Sequence, residues 1–128
     1  MDNPQGMQTL YEKEVVRWLR DQLKISNSKI PTLDPYADVL AASWNARVEP
    51  ADAAIQIGLA YFIVESAGDA TERNVVADLY LPFYLTIHLA LAKGLIPFDR
   101  SNTFLGVLGD YSNKIHQANL DQGLPFFG

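Results

Sequence analysis

Two near-continuous apolar stretches, residues 51–67 and 75–92, constrain this chain more than any other feature. Wound at 100° per residue, each is apolar on almost every side. Such a helix either lies at the centre of a helical domain or crosses a bilayer. Crossing requires roughly 18 or more consecutive apolar residues. The longest charge-free stretch, residues 79–92, has 14, and Pro82 lies inside it. The expectation is therefore two core helices in a soluble, cytoplasmic protein with no membrane association. At 128 residues the chain can bury one real core but not two.

The remaining helices follow from start and stop signals. Thr9-Leu10-Tyr11-Glu12 has the capping-box pattern, which predicts a flexible leader over residues 1–8 and a helix from there to about Lys24. Met7, Tyr11, Val15, Trp18, Leu19 and Leu23 fall on one face of it. Lys13, Arg17, Arg20 and Lys24 fall on the other, with Arg17 and Asp21 spaced for an i,i+4 pair. Ile30-Pro31 reads as extended linker, because a residue before proline is pushed out of the α region. Asp34-Pro35 and Glu49-Pro50 read as the starts of a second and a third helix, with Gly68 as the C-cap of the third.

Asp69-Ala70-Thr71-Glu72 reads as a connector to a fourth helix that stops at Gly94 and is kinked or broken near Pro82. Ser101 is the expected cap of a fifth helix over residues 102–119, with Phe104, Val107, Leu108, Tyr111 and Ile115 inward. The tail, residues 123–128, carries Leu124, Phe126 and Phe127. It is expected to pack on the core, since burying each Phe gains roughly 1.5–3 kcal/mol. No stretch alternates as a strand would. The expected fold is all-α: a single-domain bundle of about five mostly antiparallel helices over residues 9–122.

Several chemistries lack their residues. With no cysteine there is no disulfide, thiolate zinc site or cysteine nucleophile. No His-Glu-x-x-His, Gly-x-Ser-x-Gly or glycine-rich phosphate loop occurs, and neither a metal nor a cofactor is expected. Asp34, Asp38, Glu49 and Asp52 match no calcium loop. The net charge of −5 is concentrated after residue 50 and repels phosphate backbones, which argues against nucleic acid. The same charge steers a basic protein partner.

Two groups of residues could form a site. Tyr80, Tyr84 and His88 recur in steps of four along one side of the fourth helix, where an imidazole can exchange protons and phenols can donate. Tyr61 and Glu65 share an edge of the third helix with Ala54 and Gly58, whose small size admits a close neighbour. The plain alternative is that the aromatic edge only packs and that Glu65 is hydrated. A pocket lined by Tyr61, Glu65, Tyr84 and His88 would indicate a bundle binding a small molecule between its central helices. An acid–base enzyme would need Glu65 and His88 in one cavity. Exposed aromatics would instead indicate a non-enzymatic acidic interaction domain: an antagonist, an immunity-like protein or an adaptor. The last is the expected function. A homo-oligomer meeting through the side of the fourth helix that carries Leu89 is a further expectation.

Overall fold

The computed structural model describes residues 4–123, with side chains from residue 6 onward. Helix α1 (Pro4–Arg17) runs directly into a π turn, Trp18–Gln22. A single 3₁₀ turn, Ile30–Thr32, leads to α2 (Tyr36–Asn45) and α3 (Pro50–Ser66). Then come α4 (Ala70–Ala77), α5 (Tyr80–Ala92) and the long α6 (Phe98–Asp121). Helices α4 and α5 are the two halves of one bent unit, Ala70–Ala92, with a bend of 38°. Counted this way there are five helices and, among the described residues, no strand.

Helix α3 is the axis of the bundle and touches each of the other helices and the π turn. Its residues are buried on nearly every side, from Ala51 through Phe62. Leu19 and Leu23 of the π turn, Phe83 and Ile87 of α5, and Leu108 and Ile115 of α6 close the core around it. The rings of Phe62 and Phe83 meet at 5.7 Å. Gly58 permits this closure. A Cβ there would lie 2.9 Å from Leu23 Cδ1 and 3.2 Å from the Phe83 ring. The small-residue edge on the third helix thus serves packing.

Pro82 is the third residue of α5, where no intrahelical donor is needed, so the helix starts cleanly and the break falls before it, at Asp78 and Leu79. Gly94 ends α5 with φ +73.

Several expected boundaries move. Helix α1 begins at Pro4, so residues 4–8 belong to a helix rather than to a leader, and Thr9 lies inside it rather than capping it. Ile30-Pro31 forms the 3₁₀ turn instead of an extended linker, because Ile30 is drawn into the core and proline at a turn start forfeits no bond. Asp34 caps nothing, since α2 starts after Pro35 without a side-chain cap. The true capping box is Asp69 with Glu72, inside the expected connector. Gly68 is not left-handed; the Glu72 carboxylate occupies the space a Cβ would take. Ser101 lies one turn inside α6, where its hydroxyl donates to the Phe98 carbonyl at 2.7 Å. Arg17 pairs with Glu14 and Arg20 with Asp21, in place of the expected Arg17–Asp21 pair. The expected packing of the tail lies outside the described residues beyond Gly123.

Polar clasps tie the helix ends together. Arg100 on α6 grips Asp52 on α3 with two bonds of 3.0 and 2.9 Å. Those bonds push the guanidinium above its usual range. Tyr11 donates to the Val48 carbonyl at 2.7 Å, and Tyr36 donates to Glu12 at 2.7 Å, so α1 is fastened across α2. Burial, and then the bond to Glu12, raise the Tyr36 phenol well above its ordinary value. Burial also raises Tyr11. A group whose folded pKa is raised contributes stability below its unfolded pKa, about 10 for tyrosine, and loses it as pH rises through the folded value. Urea unfolding from pH 7 upward should show stability falling above about pH 10. The Tyr36→Phe variant should start less stable and fall less steeply, with Tyr11 supplying the remaining decline.

Candidate functional site

Helix α5 carries no formally charged side chain along its 13 residues. Packing uses only half of it. Phe83, Thr86, Ile87 and Ala90 face α3 and α6 and are buried. The opposite face is open: Leu81 is 59% exposed, Leu85 55%, Tyr84 39% and Tyr80 37%. His88 and Ala92 are exposed along the same strip. The expectation that both apolar helices would be central therefore holds for α3 alone. A chain of this length covers one helix on nearly every side, and the second apolar helix becomes part of the cover.

The aromatic edge is a ladder on this surface. Tyr80 and Tyr84 stack with centroids 6.1 Å apart and planes 20° apart. Tyr84 and His88 approach to 4.5 Å at 58°. Beside the ladder runs the row Leu81, Leu85 and Leu89. This row borders an open apolar hollow of about 370 Å³ floored by Pro82 and Thr86, with Gln22 and Lys24 on its far side.

Tyr61 and Glu65 lie elsewhere. They border a cavity of about 220 Å³ with Lys29, Thr32 and Asp34 of the 3₁₀ turn and its flanks. Lys29 Nζ donates to the Tyr61 hydroxyl at 3.3 Å and sits 5.1 Å from the ring centroid. That cavity is lined by no residue of α5. The five residues picked from the sequence thus divide between two places, and Glu65 and His88 do not share this cavity.

Leu81 and Leu85 were missed as site residues. Steps of four among the aromatics were visible, but a helix apolar all round gives no sign of which side is covered. Among the described residues no group of three or more His, Asp or Glu could hold a metal ion. By length and composition alone Ala70–Ala92 could cross a membrane, yet its residues include core positions such as Val76, Phe83 and Ile87.

Comparison with known protein families, with curated proteins and with solved structures finds no match to this chain.

Proposed function

We propose that this chain is a non-enzymatic protein-interaction domain that docks through the outward face of α5. One observation carries the reading: an uncharged helix face on which two leucines are more than half exposed beside a tyrosine ladder. Leaving a large aliphatic side chain in water forgoes roughly 1.5–3 kcal/mol, and contiguous patches of this kind usually mark contact sites. Tyrosine suits such a surface, giving broad contact with a polar tip. The hollow beside Leu85 accepts one apolar side chain as an anchor. The small-molecule reading has less support, since Tyr61 and Glu65 are separated from the α5 ladder.

The test is site-specific photo-crosslinking in the host. A photoreactive residue in place of Leu85 should give a discrete protein adduct, and one in place of exposed Lys13 on α1 should not. No adduct at position 85, or equal adducts at both, sinks the reading.

A further inference from the structure

Granting α5 as the docking face, we infer that its occupant is a second copy of this chain, laid antiparallel across α5 about a two-fold axis. The argument lies in the charges that bound the strip. Residues 79–92 carry none; the first on either side are Asp78 and Lys93. Both are exposed, and neither makes an ion pair among the described residues. Their midpoint falls between Leu85 and Thr86, at the centre of the exposed strip.

A two-fold axis through that midpoint reverses the second helix and brings Asp78 of one copy to Lys93 of the other, twice. Asp78 stands in the break before α5 and Lys93 caps its far end, so the two charges mark opposite ends of the strip. A two-fold lying across the helix axis carries the acid end of each copy toward the base end of the other. Each end of the strip lies about 11 Å from the axis at 1.5 Å per residue. A parallel arrangement would set Asp78 against Asp78 and Lys93 against Lys93.

The apolar residues match under the same operation. Leu85 lies within one residue of the axis, Leu81 falls within one residue of the level of Leu89 on the other copy, and Tyr84 within one residue of the level of His88. This is the self-complementarity that a two-fold interface demands. A bilayer offers no reason for an acid at one end of the strip and a base at the other. A 13-residue helix is about 20 Å long, so the contact lies at the small end of specific interfaces. The association should therefore be weak and concentration-dependent.

Sedimentation velocity across loadings from about 1 µM to about 1 mM tests this. The wild-type chain should pass from monomer to dimer. Leu85→Asp, at an exposed position, should weaken the dimer by about 100-fold or more, since it sets two carboxylates together near the axis. Asp78→Lys alone should weaken it about tenfold, and adding Lys93→Asp to it should restore the affinity to within about threefold of wild type. A monomer at every loading overturns the second copy while leaving the docking face to the position-85 crosslinking. A dimer indifferent to Leu85→Asp, or a charge swap that does not rescue, overturns the antiparallel arrangement. Monomers that bind phosphatidylcholine vesicles through Leu85 overturn it in favour of a bilayer.

Discussion

Phe83→Ala should lower the unfolding free energy by about 3–5 kcal/mol, a large part of the 5–15 kcal/mol typical of a domain. The ring is fully buried, lies against Phe62, and fills the space that Gly58 leaves open. Removing it forfeits the transfer free energy of the ring and leaves a cavity between α3 and α5 that a glycine cannot refill. Two residues along the same helix, Leu85→Ala should change monomer stability by no more than about 0.5 kcal/mol, because Leu85 already faces water. Urea unfolding of both variants at low concentration checks the contrast. Similar losses in the two would mean that α5 does not pack by the face described.

Arg73→Ala should cost about 2–4 kcal/mol by the same measurement. Arg73 is 4% exposed and makes no ion pair among the described residues. Its guanidinium donates to the Gly68 carbonyl at 2.8 Å, to Asn119 at 3.1 Å and to Gln122 at 2.6 Å. Gly68 follows the end of α3, and Asn119 and Gln122 stand at the end of α6. The cation therefore lies where two helix C-termini converge, and their macrodipoles supply the negative potential that a counter-ion otherwise would. Truncation leaves the Asn119 oxygen buried without the Arg73 donor and weakens the tie between α4 and α6, where the bond from Asn119 to Asn74 remains. Arg73→Lys should recover part of the loss, since an ammonium keeps the charge but cannot span three acceptors in a fixed fork. Full stability in Arg73→Ala would remove this clasp from the account of the fold.

Much of the fold was legible in local signals. The all-α class, the apolar stretch that became α3, the stop at Gly94 and the inward row of α6 all follow from helix periodicity and backbone chemistry. The errors have a common cause. Thr9, Asp34 and Ser101 are residues that cap helices well, but α1 and α6 begin before Thr9 and Ser101, and α2 begins only after Asp34 and Pro35. Arg73 was passed over because two of its three partners lie 46 and 49 residues away, beyond any sequence pattern.

The candidate site shows the same division. Tyr80, Tyr84 and His88 were placed on one edge by spacing, and the structure stacks their rings on it. Tyr61 and Glu65 were joined to them only in expectation, since spacing along a helix says nothing about which helix lies opposite.

By itself, the sequence determined that the chain forms helices, where its longest apolar ones run, and that an acid and a base bound the charge-free span of α5. These are properties of neighbours a few residues apart. Only the tertiary structure decided which apolar helix is central and which half of the other remains uncovered. Two helices of similar hydropathy are equivalent until packing around a single core distinguishes them. That distinction depends on volume and on contacts between residues far apart in the chain.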